Sequence, residues 1–185
     1  MLVIRDNFLD QGSPLLRRLK DKKSWEYLDE ELVNPETQST WWDGKGAGKN
    51  MWELLIKQMI DGSESECFEY WSNILDKNGE LGWHQDKDEH SFSEEQSARC
   101  ADVSIVYYGY PHVIKGGYLE LAEPNSKDYT HTERIKPVYN RLIMFDPSRF
   151  HRVRPVELGT RYGFQVNVWY DPPQKAKEIL KGKTK

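Results

Sequence analysis

Residues 83–90 read WHQDKDEH, which places two histidines and three acidic residues within eight positions. Such a run is either a metal site or a charged, solvated loop. Two histidines and one carboxylate on one face of a metal form the donor set of mononuclear non-haem iron, with the remaining positions left open. Side chains alternate faces along a strand, so two ligands on one strand must stand two residues apart. His84 and Asp86 meet that rule. Asp88 would share their face only if the strand ran on, and the charge run argues that it stops. Lys87, Asp88, Glu89 and His90 then read as the start of a charged loop at a site mouth.

A third ligand must come from another strand. Of the five histidines, His151 is the best placed: it follows the apolar segment NRLIMFDPSRF and opens RVRPVE. Ten residues on, after the turn at Gly159 and Thr160, Arg161 opens RYGFQVNVWY. An arginine at the start of a mostly apolar, aromatic strand needs an anionic partner if it points inward. Beside a metal, that is what a dicarboxylate cosubstrate would require. Asn167 has the same parity as Arg161 and so can face the same pocket, and Asn73 lies on the strand before His84.

The elements that must position these residues are mostly strands. Before them, LVI at 2–4 reads as a short strand. Ser13 is an N-cap candidate ahead of Pro14, with Leu15, Leu16 and Leu19 at helical spacing. MWELLIKQMI (51–60) repeats the pattern, with Trp52, Leu55, Ile56 and Met59 on one face. From Cys67 onward CFEYWSNIL, ADVSIVYYGY, GGYLELAEP, NRLIMFDP, HRVRPVE and RYGFQVNVWY are short, β-branched and aromatic, bounded by Gly, Pro, Asn and Asp. No helix separates them, so the expectation is an antiparallel jelly roll or barrel with helices packed outside.

One domain is expected over 1–185, with N-terminal helices at about 13–61, the β core at about 66–171 and a basic, solvated tail at 174–185. STWWDGKGAGKN reads as a flexible glycine-rich loop carrying Trp41 and Trp42, either a substrate lid that would border a site mouth with the 87–98 segment or a packed loop. It is not a phosphate cradle: the first glycine of that motif falls on Asp43, and Asn50 stands where Ser or Thr is needed. Arg149, Arg152 and Arg154 are expected on an outer, solvated face.

Composition narrows the function classes. Hydrophobic residues are 37% and charged residues 30%, and seven Trp and ten Tyr supply core area, which argues against disorder. The formal net charge of -4 shows no wholesale nucleic-acid footprint. Cys67 and Cys100 are too few for a disulfide scaffold and read as free thiols. No run approaches the ~20 apolar residues of a membrane span. MLVIRDNFLD lacks the basic-then-apolar pattern of a signal peptide. A cytoplasmic protein is the expectation.

Taken together, GWHQD, YYGYPHVIKGGYLEL, NRLIMFDPSRFHRVRPV and GTRYGFQVNVWY resemble the 2-oxoglutarate- and Fe(II)-dependent oxygenases, specifically the prolyl 4-hydroxylase-like group. The resemblance runs from about Cys67 to Tyr170, and weakly over LVIRDNFL. It implies a mainly β fold with flanking helices and a double-stranded β-helix (jelly-roll) core. It implies Fe(II) on His84, Asp86 and His151, and 2-oxoglutarate held through its distal carboxylate by Arg161 and Tyr108, with Asn167 and Asn73 as further cofactor-binding residues. O2 would be the second cosubstrate, with ascorbate (vitamin C) as a supporting reductant. The presence of Asp86 favours hydroxylation, because related halogenases lack that carboxylate. The substrate implied is a prolyl residue in a peptide or protein, with free amino acids and other small molecules close behind. HQDKDE also resembles the metal segment of AlkB-type nucleic-acid demethylases. In that family the arginine lies further beyond the second histidine, so the ten-residue step here favours the hydroxylases.

Overall fold

The computed structural model describes residues 1–34, 38–60, 67–88, 99–124 and 129–182. The chain runs through β1 (Leu2–Arg5), α1 (Pro14–Leu19), α2 (Lys22–Tyr27), a π-helical turn (Leu28–Leu32), β2 (Thr40–Trp42), α3 (Met51–Met59) and β3 (Cys67–Leu75). It continues through β4 (Leu81–His84), β5 (Val103–Tyr108), β6 (Lys115–Gly116), β7 (Leu119–Ala122), β8 (Thr132–Ile135) and β9 (Arg141–Phe145). The last elements are β10 (His151–Val153), β11 (Val156–Leu158), β12 (Arg161–Trp169) and α4 (Gln174–Gly182).

Among the described residues a six-stranded sheet has the order β1-β9-β5-β12-β3-β2, and a four-stranded sheet the order β4-β10-β7-β8. Their strand pairs are antiparallel. This is the jelly-roll arrangement, mostly β with helices against one face. β12 explains why: every residue from Arg161 to Trp169 is buried. Tyr162, Phe164, Val166 and Val168 face outward into the helical cluster of Leu16, Trp25, Trp52 and Ile56. The alternate residues Arg161, Gln165 and Asn167 face inward and line a cavity. Period-2 alternation thus lets one strand serve the core on one face and the site on the other. Between the sheets, Val106, Tyr108, Ile143 and Phe145 pack on Leu119, Leu121 and Ile135.

The helices form where their caps and apolar faces coincide. Asn50 caps α3 by accepting from the N–H groups of Trp52 and Glu53 at 2.9 and 3.0 Å. Trp52, Leu55, Ile56 and Met59 are all buried, as their spacing predicts, and Trp52 meets Trp25 edge-on at 5.0 Å and Phe164 at 4.7 Å. Ser13 sits at the N-cap of α1 but makes no side-chain cap bond; its carbonyl accepts from Arg17 N–H at 3.1 Å.

Three expectations need correction. Trp41 and Trp42 are not on a flexible loop or a site mouth: they form β2, pair with Glu69 and Phe68 on β3, and are 7% and 4% exposed. A three-residue strand shows no alternation, and the glycines after it masked it. The C-terminal helix is not simply a solvated tail, because Ala176 of α4 is buried against Trp41 and Trp169. Arg149, Arg152 and Arg154 are not a free solvated face. Arg152 and Arg134 bond Glu120, Arg154 stands 3.7 Å from it, and Arg149 bonds the Ala122 carbonyl and Glu133. Glu120 is 1% exposed under this cover, on the outer side of the smaller sheet. No described helix is long and apolar enough to cross a membrane.

Candidate active site

His84 ends β4 and His151 opens β10, and the two are register partners across the smaller sheet. Their rings lie 4.2 Å apart. Asp86 stands past the end of β4, so the two-residue spacing spans a strand end rather than lying within a strand. The backbone stays tied down beyond it: Asp86 N–H donates to Pro147 O, and the 86–88 segment bonds back to 99–101 through Asp88 N–H to Arg99 O and Ala101 N–H to Asp86 O. Asp88 is therefore buried, not the start of a solvated run. Glu89, His90 and the remainder of 89–98 lie outside the described residues. Trp83 has opposite parity to His84 and packs on the outer side, stacked on Tyr129 at 4.6 Å beneath the Arg152 guanidinium.

One ligand atom from each of His84, Asp86 and His151 falls within 4.8 Å of the other two. His84 Nδ1 lies 2.8 Å from the Gly82 carbonyl, and His151 Nδ1 lies 2.9 Å from that of Arg149. A carbonyl accepts, so both Nδ1 atoms carry the proton, which leaves each Nε2 as the candidate ligand atom. These Nε2 atoms stand 3.9 and 3.5 Å from Asp86 Oδ1. The other Asp86 oxygen accepts from Ser104 at 2.5 Å and from Gln165 at 3.4 Å. Burial pushes the Asp86 carboxyl up, but His151 and the Ser104 hydroxyl override it and hold the group below its ordinary value. Burial pushes His151 down, but the Asp86 carboxylate and the Arg149 carbonyl override it and raise the imidazole above its ordinary value. Two imidazole nitrogens and a carboxylate oxygen converging on one point fit a divalent iron.

The second half of the site is Arg161, 1% exposed. Its Nη2 donates to Tyr108 Oη at 2.9 Å and its Nε to the Gly117 carbonyl at 3.2 Å. Its Nη1 has no partner among the described residues. A buried guanidinium nitrogen without an acceptor is costly unless an anion arrives, and that orphan suits the distal carboxylate of 2-oxoglutarate. Glycines make room for it. Gly117 adopts φ +63°, and a Cβ there would stand 3.3 Å from Arg161 Cδ; a Cβ on Gly163 would stand 2.8 Å from Nη1.

His84, Asp86, His151, Arg161, Asn73 and Asn167 all line one cavity of about 640 Å³. Tyr108 reaches Arg161 from β5, while Asn167 lies six residues along β12 from Arg161, its side-chain oxygen 2.9 Å from Ser104 Oγ. At about 3.3 Å per residue that is roughly 20 Å, so Asn167 belongs to the Asp86 side of the cavity. Ser104 has one proton for two acceptors, and the shorter contact to a charged group places it on Asp86. Ser104, Gln165 and Glu69 were not singled out in the sequence. Each shares the parity of a residue that was: Tyr108, Arg161 and Asn73 respectively.

No curated protein matches the chain. Similar solved structures include a Pseudomonas putida prolyl-4-hydroxylase, with 18% identity, TM-score 0.58 and 91% of each chain covered. A 2OG-Fe(II) oxygenase family oxidoreductase from Burkholderia pseudomallei has 15% identity and TM-score 0.57, over 91% of this chain and 84% of that one. A Trichoplax adhaerens prolyl hydroxylase, in complex with a hypoxia inducible factor oxygen degradation domain peptide fragment, has 17% identity and TM-score 0.57, over 96% and 86%. At such identities the likeness is one of fold. The sequence pattern of the 2OG-Fe(II) oxygenase superfamily, in contrast, matches residues 69–171, more than half of the chain. This chain belongs to that superfamily and is a 2-oxoglutarate-dependent dioxygenase, whose family chemistry takes Fe(II), 2-oxoglutarate and O2.

Proposed function

We propose that the enzyme hydroxylates a C–H bond of a prolyl residue in a peptide, with Fe(II) on His84, Asp86 and His151 and 2-oxoglutarate anchored by Arg161 and Tyr108. The observation that supports the site assignment is that buried Arg161, whose Nη1 has no partner among the described residues, lines the same cavity as the triad. The peptide substrate is supported by the fold likeness to the prolyl hydroxylases, one of them in complex with a peptide fragment. When bound, iron with 2-oxoglutarate and O2 supplies the oxidation of C–H to C–OH, with succinate and CO2 as co-products. The protein supplies position. Gly82 and Arg149 carbonyls fix the imidazole tautomers. Ser104 and Gln165 hold one Asp86 oxygen so that the other faces the histidines. Arg161 takes a carboxylate as a fork, with the Tyr108 hydroxyl beside it.

The test is mass spectrometry for a +16 Da product on proline-containing peptides with Fe(II) and 2-oxoglutarate, with and without ascorbate. His84→Ala and Asp86→Ala are expected to abolish succinate formation. Full turnover in both would remove the metal assignment. Turnover on methylated oligonucleotides, with none on peptides, would overturn the substrate.

A further inference from the structure

We infer that Glu69 reads a positive charge on the substrate, so that the preferred substrate presents an ammonium or guanidinium beside the C–H bond that is oxidised. The inference rests on the oxygenase reading of the triad and names what that site selects. Glu69 faces the cavity from β3, where its register partners are Asn167 on β12 and Trp41 on β2. Asn167 connects through Ser104 to Asp86, so Glu69 stands on the metal side of the cavity. Arg161 stands at the other end of β12. The cosubstrate end and Glu69 therefore lie to opposite sides of the triad, and the Glu69 side is the one left for substrate.

Among the described residues the carboxylate forms no ion pair. It accepts from the Ser39 hydroxyl at 2.9 Å, and Asn167 and Trp169 stand beside it. None of these is a cation. A carboxylate in a pocket wall held only by neutral groups is under-compensated. Burial accordingly pushes its carboxyl up to about 7, against the pull of Ser39, with Asp86 adding to the rise. A cation arriving from solvent restores the charged form and gains a hydrogen-bonded ion pair in a site shielded from water. Trp71, two residues along on the same face of β3, lines the same cavity and offers a flat apolar surface to the stem of a basic side chain. Asp29 lines it too, from the π-helical turn, and adds a second negative charge.

The charge has two sources in a peptide: a lysyl or arginyl side chain next to the prolyl residue, or the free N-terminus. The experiment uses the iron- and 2-oxoglutarate-loaded enzyme with short matched peptides. Lys, Arg, Gln or Glu flanks the proline, each N-acetylated, and a further pair carries an N-terminal proline, free or acetylated. A parallel set replaces proline by alanine. Dissociation constants are measured alongside the +16 Da product. Lys or Arg peptides, or the free N-terminal peptide, should bind on the order of tenfold more tightly than their neutral matches. That preference should weaken with salt and vanish in Glu69→Gln. Equal binding across the charge series, no binding of any member, or the same preference in Glu69→Gln would overturn the inference. The glutamine variant also separates a charge role from a neutral carboxyl acting as a donor, which it would preserve. A charge preference that disappears in Glu69→Gln, with proline and alanine peptides bound alike and no hydroxylation of proline, would uphold Glu69 and reject the prolyl reading alone.

Discussion

An orphaned nitrogen on a buried guanidinium makes Arg161 the most exacting residue of the molecule. Arg161→Ala should raise the 2-oxoglutarate KM by about one to two orders of magnitude, with kcat at saturation much less affected, since an ion pair is lost and no metal ligand is. Arg161→Lys keeps the charge but not the fork, so it should recover only part of the loss. Steady-state kinetics over 2-oxoglutarate concentration reads both. Ser104 makes a different prediction. Ser104→Ala frees the second Asp86 oxygen and should lower Fe(II) affinity by roughly tenfold, measured by metal titration, while leaving the cosubstrate KM in place. Unchanged metal affinity would show that Gln165 alone orients Asp86. His84, Asp86, His151 and Arg161 stood out in the sequence as candidates because ligand chemistry restricts residue types, and the structure brings the first three together. Glu69, Ser104 and Gln165 did not, because serine, glutamine and glutamate in a strand announce nothing until a partner is found across it.

Elements carry these residues, and β10 shows how. It brings His151 inward and Arg152 outward, and Arg152 joins Arg134 from β8 on Glu120 from β7. Burial alone would raise the Glu120 carboxyl, but the Arg134 and Arg152 hydrogen bonds bring it down to about 2, from 4.5. A depressed folded-state value means that the stabilisation is complete above about pH 4.5 and is lost as pH falls towards 2. Glu120→Gln should therefore be less stable than the parent at pH 7, and the difference in melting temperature should close steadily between those limits. A difference that does not change with pH would mean that Glu120 acts by packing and not by charge. Helix and strand content was legible wherever a segment was long enough to show its period, as in α3, β3 and β12. β2 was too short, and the arginine network depends on which strands are neighbours, which a single sequence does not display.

At the scale of the whole molecule, the shift from helical to alternating pattern at Cys67 marks where most of the β core begins, while β1 and β2 precede it and join the larger sheet. The strand order was not legible, because antiparallel jelly rolls join segments far apart in sequence. β4 lies at the edge of the smaller sheet, with β10 its neighbour there, and carries His84; β10 is interior and carries His151. An edge strand of four residues opens easily by local fluctuation. Iron shared between the two histidines would bolt the loose margin of the sheet to its rigid middle. Metal loading should then slow amide hydrogen exchange across residues 81–88 far more than in β12, and a chelator should reverse it. The catalytic ion would double as a fastener, and loss of metal would show first as breathing at the rim of the barrel.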